Sequence, residues 1–239
     1  MTADGGTPVA LVTGASKGIG RYLSEHLLRA GYLVVGCSRH AAAWDAENFT
    51  HIVCDVADES QVKALFKQVS QSCGRLDVAV NNAGFASMNH VLLTPLSTVE
   101  TTMRINVAGT FLVAREAIKM MRKRKYGRIV NFSSAVAPMR LAGEAVYVAS
   151  KCAVTALSQV MAREVADFGI TVNIVAPGPT ATDMIRGVPK ATIEKLVSEL
   201  PLKRLSTVED VANVVDFFLR PESSAITGQV VNLCGVPNS

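Results

Sequence analysis

The stretch Val9-Ala-Leu-Val-Thr-Gly-Ala-Ser-Lys-Gly-Ile-Gly20 joins an apolar run to a glycine-rich turn, and a helical pattern follows at once. Because glycine lacks a Cβ, the backbone of such a turn can approach a phosphate closely. The N-terminus of the following helix adds N–H donors and the positive end of the helix dipole. Glycines also shape ordinary turns, but a strand before and a helix after this one favour a phosphate site. The residues predicted to surround that site are Gly14, Ser16, Lys17, Gly18, Ile19 and Gly20.

The same alternation of strand and helix runs through the chain. Seven short apolar runs rich in Val and Ile predict strands buried on both faces, because apolar and polar residues do not alternate within them. Helical patterns separate these runs, so we predict a single α/β domain over 1–239, with helices on both faces of a parallel sheet. The predicted strands are Val9–Val12, Leu33–Cys37, Ile52–Cys54, Val78–Val80, Ile129–Phe132, Thr171–Ala176 and Val230–Leu233, and the predicted helices cover about 18–30, 59–72, 99–124, 146–167 and 207–219.

One long connection interrupts the alternation of strands and helices. Residues 177–206 contain four prolines, no strand pattern, and one short helical pattern near Ala191–Leu200. Long connections inside compact domains are often functional, so we predict a substrate lid at about 179–206.

Composition excludes several classes of protein. The chain is 49% apolar and 18% charged, which excludes disorder, and its net charge of +4 is too small to indicate nucleic-acid binding. No apolar run approaches the ~20 residues that cross a bilayer, and no signal-peptide pattern is present, so we expect a cytoplasmic protein. Five scattered cysteines without CxxC spacing predict reduced thiols and no metal site. They are Cys37, Cys54, Cys73, Cys152 and Cys234.

The end of the second predicted strand indicates which dinucleotide binds. An acidic residue there would accept hydrogen bonds from a free ribose 2′-hydroxyl and favour NAD. Here the strand ends Gly36-Cys-Ser-Arg39, and the next carboxylate is Asp45. Arg39 could pair with a 2′-phosphate, with Ser38 beside it and Lys17 adding a second positive charge, so the prediction is NADP(H). The alternative is that the two cations belong to a solvated surface.

Tyr147 and Lys151 lie four residues apart in a helical pattern, so they share one helix face. An ammonium group near a tyrosine stabilises the phenolate and lowers the tyrosine pKa, which suits a proton donor. Ser134 follows the strand run Ile129–Phe132 and should lie at the ligand crevice, where a hydroxyl could bind a substrate carbonyl oxygen. The alternative for Tyr147 and Lys151 is an ordinary helix-surface pair.

Together, these motifs resemble the short-chain dehydrogenase/reductase family over almost the whole chain. The resemblance implies a seven-stranded Rossmann sheet of order 3-2-1-4-5-6-7 and the reduction of a ketone to a secondary alcohol. The matching features are Thr13-Gly-x-x-x-Gly-x-Gly20, Asp55-Val56, Asn81-Asn-Ala-Gly84, Asn106, Ser134, Tyr147-x-x-x-Lys151 and Pro177-Gly178.

The resemblance also implies roles for individual residues. Tyr147 would be the general acid, and Ser134 would orient the carbonyl. Lys151 would lower the Tyr147 pKa and hold the nicotinamide ribose, while Asn106, at a break in its helix, would hold a water linking Lys151 to solvent. Asp55 and Val56 would flank the adenine. The remaining implied cofactor contacts are Asn82, Ala83 and Gly84 at the ribose and Pro177, Gly178, Thr180 and Thr182 at the nicotinamide end.

Within the family the chain is most similar to 3-oxoacyl-[acyl-carrier-protein] reductases. This implies a 3-oxoacyl thioester substrate, bound to acyl carrier protein or coenzyme A, in fatty-acid-like or polyketide-like biosynthesis. Two alternatives stay open: a dehydrogenase for another small ketone, sugar or secondary alcohol, and a non-catalytic nucleotide-binding scaffold or sensor. The segments carrying the similarity are Val175-Ala-Pro-Gly178, Thr182-Asp-Met184, Pro201-Leu-Lys-Arg-Leu205, Glu209-Asp-Val-Ala212 and Ile226-Thr-Gly228.

A mostly apolar set of side chains is predicted to form the substrate pocket, which suits an acyl chain, although methionines also fill core gaps. Arg140 in this set could meet an anionic group. The stretch between Arg39 and Asp55 is short, so we expect a truncated helix there and a more open adenine side. The predicted pocket residues are Met88, Met139, Arg140, Leu141, Pro179, Met184 and Ile185.

A basic cluster could steer an acidic acyl carrier protein to the enzyme. The alternative is a solvated helix end whose cations complement the helix dipole. Phe168 stands where those reductases carry a further basic residue, which weakens docking there. Relatives pair the long helices near 99–124 and 146–167, which implies a homodimer or homotetramer. The cluster consists of Lys119, Arg122, Lys123, Arg124, Lys125 and Arg128.

Overall fold

Seven parallel strands form one sheet in the order β3-β2-β1-β4-β5-β6-β7, which confirms the predicted order. The computed structural model describes residues 6–180, 193–194, 197–198 and 200–234. Every strand pairs with its neighbours in parallel register. The strands are β1 Val9–Thr13, β2 Leu33–Ser38, β3 Phe49–Val53, β4 Val78–Asn81, β5 Gly127–Phe132, β6 Ile170–Ala176 and β7 Val230–Asn232.

Four of the five predicted helices agree with the structure, and the structure adds a short helix over Val136–Met139 that was not predicted. The predicted helix over 99–124 is divided, because a π-helical segment spans Arg104–Gly109 and a 3₁₀ turn spans Arg122–Arg124. Further 3₁₀ turns span Val91–Leu93, Ala166–Phe168 and Pro221–Ala225. The α-helices are α1 Gly18–Arg29, α2 Glu59–Cys73, α3 Leu96–Met103, α4 Thr110–Met121, α5 Val136–Met139, α6 Ala145–Glu164 and α7 Val208–Leu219.

Local side chains explain where two of the helices begin and end. Asp58 accepts hydrogen bonds from the backbone N–H groups of Ser60 and Gln61 and so caps the start of α2. Gly74 ends that helix in the left-handed conformation, with φ 67°. Thr207 and Asp210 form a reciprocal capping box at the start of α7.

Each face of the sheet carries its own hydrophobic core, because successive side chains of a strand point to opposite faces. Leu11 of β1 packs in the core beneath α2, α4 and α6, whereas Ala10 and Val12 pack in the core beneath α1 and α7. Strands β1, β4, β5 and β6 are buried along their whole length, as predicted.

The prediction of burial on both faces is wrong for the two outer strands. In β3 only Phe49 is fully buried, and the Val53 side chain is 59% exposed. All three residues of β7 are half-buried. Both strands lie at an edge of the sheet, so each has one neighbouring strand and less cover from the helices.

Helix α6 is long and apolar enough to cross a membrane by length and composition, with a mean hydropathy of 1.3. The core helix of a soluble protein passes the same test. Here Val154, Ser158 and Met161 are buried against the sheet, so we interpret α6 as a core helix.

Candidate active site

A cleft of about 960 Å³ opens at the carboxyl ends of the central strands. The strand order changes direction between β1 and β4, and in parallel sheets the ligand crevice lies at this point. The walls come from the segments that follow β1 to β6 and from α6. The predicted residues that line it are Gly14, Ser16, Lys17, Gly18, Ile19, Ser38, Arg39, Asp55, Val56, Asn82, Ala83, Gly84, Ser134, Tyr147, Lys151, Pro177, Gly178 and Thr180.

The glycine-rich turn leaves no room for side chains at two positions. Gly14 has φ 70°, and a Cβ there would lie 2.8 Å from Asn82 Nδ2. A Cβ at Gly20 would lie 2.2 Å from the Gly14 carbonyl oxygen, so Gly20 does not line the cleft but supports the turn from behind. Lys17, the N-cap residue of α1, lies at the cleft wall. The turn and the helix N-terminus together fit a dinucleotide pyrophosphate.

We expect Gly20→Ala to abolish tight binding of a nicotinamide dinucleotide such as NADPH, because the new methyl group would displace the backbone of the turn. The cost of such overpacking is typically ~1–3 kcal/mol of folding stability. Gly74→Ala is the matched control: a Cβ there meets no atom within 4 Å, so only its left-handed φ costs stability. Calorimetric titration with NADPH and thermal unfolding check both variants. Equal NADPH affinity in Gly20→Ala and the wild type would contradict this role.

The segment after β2 forms the end of the cleft where a 2′-phosphate would lie. Arg39 and His40 are exposed at the cleft wall. The Ser38 hydroxyl donates to the His40 carbonyl oxygen at 2.8 Å and lies 2.7 Å from His51 Nε2. Among the described residues that line the cleft, the carboxylates are Asp55 and Glu144, and neither lies directly after β2. The sequence analysis missed His40.

No helix forms over residues 39–48 of the β2–β3 connection, which confirms the predicted truncation. Trp44 of this connection stacks on Phe49 at a centroid distance of 3.9 Å, and its Nε1 donates to the Ala15 carbonyl oxygen at 3.1 Å. The Arg21 guanidinium lies 5.5 Å from the indole centroid. Trp44 therefore contacts the glycine-rich turn and supports its conformation. The more open adenine side stays a prediction.

Asp55 lines the cleft after β3, where the resemblance implies an adenine contact. Its Oδ1 accepts from the Ala57 N–H at 3.0 Å, and its Oδ2 lies 3.8 Å from Arg104. Val56 packs against Gly109, where a Cβ would lie 2.9 Å from a Val56 methyl group. Both side chains are therefore held in place at this wall.

Ser134, Tyr147 and Lys151 meet at the centre of the cleft. The Ser134 and Tyr147 side chains both line the cleft, close enough for the Ser134 hydroxyl to lower the pKa of the Tyr147 phenol. Lys151 is 6% exposed; its Nζ donates to the Phe132 carbonyl oxygen at 2.8 Å and lies 5.7 Å from the Tyr147 ring centroid. The fold thus joins a residue that follows β5 to two residues one turn apart on α6.

Burial controls the proton affinities of this group. It raises the pKa of Tyr147 to about 12, an effect that interaction with Ser134 opposes and the Glu144 charge reinforces. Burial also lowers the pKa of Lys151 to about 8. Desolvation of the phenolate therefore outweighs the other contributions at Tyr147, and the lowering of its pKa by Lys151 stays a prediction.

Asn106 lies within the π-helical segment, which is the break in the helix that the resemblance implied. Its Oδ1 accepts from the Phe85 N–H at 2.8 Å, and its Nδ2 donates to the Phe85 carbonyl oxygen and to Ser150 Oγ, both at 2.9 Å. Asn106 does not line the cleft, but a Cβ at Gly84 would lie 3.4 Å from Asn106 Oδ1 and 3.6 Å from Lys151 Nζ. Its water-holding role stays a prediction.

The segment after β6 forms the wall nearest the catalytic group. The Gly178 N–H donates to Ser206 Oγ at 3.1 Å, and the Thr180 hydroxyl donates to the Gly178 carbonyl oxygen at 2.9 Å. Thr182, together with Met184 and Ile185, lies outside the described residues. The predicted lid is described only in part, and residues 193, 194, 197 and 198 within it are helical.

Comparisons with known proteins agree with this geometry. A family model described as "Enoyl-(Acyl carrier protein) reductase" matches residues 14–235. The 3-oxoacyl-[acyl-carrier-protein] reductase FabG of Vibrio harveyi is 34% identical over 233 residues, covering 95% of this chain and 96% of the relative. The chain belongs to the short-chain dehydrogenase/reductase family. It is therefore an oxidoreductase of a family that uses a nicotinamide cofactor.

Two further relatives of this short-chain dehydrogenase/reductase show how wide the family is. A "Short-chain type dehydrogenase/reductase" of Picea abies is 38% identical, covering 96% of this chain and 92% of the relative. The ligand-free aldohexose dehydrogenase of Thermoplasma acidophilum superposes with a TM-score of 0.88 at 31% identity, covering 98% of this chain and 96% of that structure. The fold is therefore shared by proteins named for different substrates.

The substrate end of this short-chain dehydrogenase/reductase differs in part from the prediction. Met88, Leu141 and Pro179 line the cleft, whereas Met139 and Arg140 do not. Arg140 is exposed because it ends α5 in the left-handed conformation, with φ 51°. The sequence analysis missed several lining residues; Glu144, three residues before Tyr147, could have been found from helical spacing. Those missed at this end are Phe85, Ala86, Ser87, Val136, Ala142, Glu144 and Ile193.

One of the six residues in the predicted basic cluster is not at the surface. Arg128 lies within β5 and is 3% exposed, with its guanidinium 4.6 Å from the Tyr126 ring centroid. A residue inside a central strand is covered by the neighbouring strands and helices, so Arg128 cannot contact a partner. Lys119 is exposed and forms an ion pair with Glu116 at 2.8 Å. Besides Lys119, the exposed members of the cluster lie in the turn that carries Arg122, Lys123, Arg124 and Lys125.

No metal site or disulfide is found within the described part of the chain. No group of three or more His, Cys, Asp or Glu side chains could hold a metal ion there, and all five cysteines are free thiols. Cys54 lines the adenine end of the cleft.

Proposed function

We propose that this protein is an NADPH-dependent ketoreductase that reduces a 3-oxoacyl thioester to the 3-hydroxyacyl product. The observation that carries the proposal is that Ser134, Tyr147 and buried Lys151 line one cleft together with the glycine-rich turn. The names of the bacterial relatives support the thioester. Retention of the whole catalytic group argues against a non-catalytic scaffold.

The chain's own residues account for the proton and for the orientation of the substrate. When bound, NADPH supplies the hydride for the carbonyl carbon. Ser134 donates a hydrogen bond to the carbonyl oxygen, and Tyr147 transfers its phenolic proton to the same oxygen as charge builds on it. The Lys151 ammonium binds the ribose hydroxyls and stabilises the phenolate that remains.

Arg39 is the residue that we expect to select NADPH over NADH. Arg39→Asp removes a charge-assisted pair with the 2′-phosphate, worth ~1.5–3 kcal/mol, so NADPH affinity should fall about 10- to 100-fold while NADH affinity does not fall. Titration of both dinucleotides measures the effect. Lys67→Asp, at an exposed position of α2, makes the same charge change away from the cleft and should leave NADPH binding unchanged. Unchanged NADPH affinity in Arg39→Asp would refute the assignment.

The substrate proposal is tested by following NADPH oxidation with 3-oxoacyl thioesters carried on acyl carrier protein, coenzyme A or N-acetylcysteamine. Failure to reduce all of them would reject the thioester. A panel of small ketones, sugars and secondary alcohols, run in both directions, tests the second candidate. That candidate is favoured by the likeness to an aldohexose dehydrogenase, with a TM-score of 0.88.

We extend the proposal to partners and location. The exposed basic turn of Arg122, Lys123, Arg124 and Lys125 would attract an acidic acyl carrier protein, since a positive surface steers an anionic partner. Helices α4 and α6 would pair with a second copy in a homodimer or homotetramer. We expect a cytoplasmic enzyme, like the reductases it resembles.

A further inference from the structure

Glu144 is the acidic residue at the substrate end of the cleft. It is the N-cap residue of α6, one turn before Tyr147, but its side chain does not cap the helix. Its Oε2 atom is fully buried and accepts no hydrogen bond within the described part of the chain. The other buried polar atoms without a partner there belong to Asn81, Arg128 and Thr171, none of which lines the cleft. The side chain as a whole is half-buried and lines the cleft, so Glu144 places a carboxylate with one enclosed, unpartnered oxygen at the substrate end.

Mostly apolar residues surround the Glu144 carboxylate at the cleft wall. Leu141 and Ala142 precede it at the cleft wall, and Met88 lines the same end. A Cβ at Gly143 would lie 3.4 Å from the Met88 side chain, so these segments are in contact. A carboxylate with one oxygen enclosed and unpartnered is costly to keep charged, and burial raises the pKa of Glu144. A ligand donor at the accessible part of the carboxylate would reduce that cost.

We propose that Glu144 is a specificity-determining residue, whose carboxylate accepts a hydrogen bond from a donor group on the substrate close to the reacting carbonyl. This inference rests on the proposed ketoreductase function and narrows its substrate. Two chemical sources fit: a hydroxyl on the carbon next to the carbonyl, or the amide N–H of the arm that carries an acyl thioester. A free carboxylate at the same place is disfavoured by like charge.

Matched substrates separate these two sources. The first pair is 3-hydroxybutan-2-one and 3-methylbutan-2-one, in which a methyl group replaces the hydroxyl. The second is the acetoacetyl thioester of N-acetylcysteamine and its analogue with an ester oxygen in place of the amide N–H. A hydrogen bond to a charged acceptor predicts that kcat/KM for the donor-bearing member is about 10- to 100-fold higher in at least one pair. The pair that shows the preference identifies the source.

The preference should disappear in Glu144→Leu and persist in part in Glu144→Gln, whose amide oxygen still accepts a hydrogen bond. Glu144→Gln also keeps the test decisive if the leucine variant does not fold. In addition, loss of the Glu144 charge lowers the pKa of Tyr147, so alcohol oxidation by Glu144→Gln should rise at lower pH than in the wild type. The readout that a merely structural role would not move is the kcat/KM ratio within each matched substrate pair. No preference in either pair, or an equal preference in Glu144→Leu, would overturn the inference.

A binding measurement tests the acceptor role of Glu144 independently of the proposed ketone reduction. Butane-2,3-diol and 3-methylbutan-2-ol are titrated into the enzyme with NADP(H) and followed by NMR. If no ketone is turned over, the ketoreductase proposal fails, but tighter binding of the diol to the wild type than to Glu144→Gln would still support the acceptor role. Equal binding of both alcohols, without a preference in the thioester pair, would reject it.

Discussion

Tyr147→Phe is expected to lower kcat for ketone reduction by about 10²- to 10⁴-fold, the usual contribution of a positioned general acid. In the proposed mechanism Tyr147 transfers the proton to the carbonyl oxygen, whereas Ser134 only orients that oxygen, so no second proton donor replaces the phenol. NADPH affinity should change little, because the turn that binds the phosphates is untouched. Initial rates and a calorimetric titration with NADPH separate the two effects.

Tyr126→Phe is the matched control for this substitution. Tyr126 immediately precedes β5, at the end of the sheet opposite the cleft, and packs over Arg128. The same loss of a hydroxyl there should leave kcat within a factor of about two. If Tyr147→Phe retained most of the wild-type rate, the catalytic assignment would be wrong, and a binding or sensing role for the fold would gain support.

Lys151→Met is expected to reduce activity by about 10²-fold or more while leaving the protein at least as stable as the wild type at pH 7. The lowering of the Lys151 pKa from 10.5 to about 8 corresponds to on the order of 3 kcal/mol of cost for keeping the charge buried. Methionine removes that cost, although the Phe132 carbonyl oxygen loses its hydrogen bond. Initial rates measure the loss of activity in Lys151→Met. Chemical denaturation of the variant and the wild type at pH 7 measures the difference in stability.

The pH dependence of Lys151 follows from the same pKa. Between pH 8 and 10.5 the unfolded chain holds a proton on this lysine and the folded chain does not, so wild-type stability gains from rising pH in this window. Activity that needs the ammonium should fall as pH rises through about 8. Lys151→Met should lack this contribution to stability, whereas Lys67→Met at an exposed position should keep it. Destabilisation of Lys151→Met at pH 7 by more than about 2 kcal/mol would contradict the argument.

Short-range patterns were sufficient for much of this molecule. The glycine-rich turn lies between β1 and α1, and its chemistry depends on residues that are adjacent in the chain. Tyr147 and Lys151 share a face of α6 because helical geometry places residues four apart one above the other. The sheet order followed from the family resemblance, and the interior strands from their unbroken apolar runs.

Burial could not be predicted from spacing alone. Arg128 was predicted to belong to a basic surface cluster. It is instead buried, because it lies in β5, between β4 and β6 in the sheet. The brace between Trp44 and Ala15 joins residues separated by 29 positions. Such contacts depend on how distant segments of the chain pack together. A local sequence pattern does not predict that packing.

The same limit applies to the electrostatics of the site. The proximity of Lys151 to Tyr147 was correctly predicted from helical spacing, but the burial that raises the Tyr147 pKa was not. Adjacent residues determine which charges can meet, whereas the packed walls of the cleft determine how much water each charge loses. The unpartnered carboxylate of Glu144 arises in the same way, because only the assembled cleft leaves its oxygen without a donor.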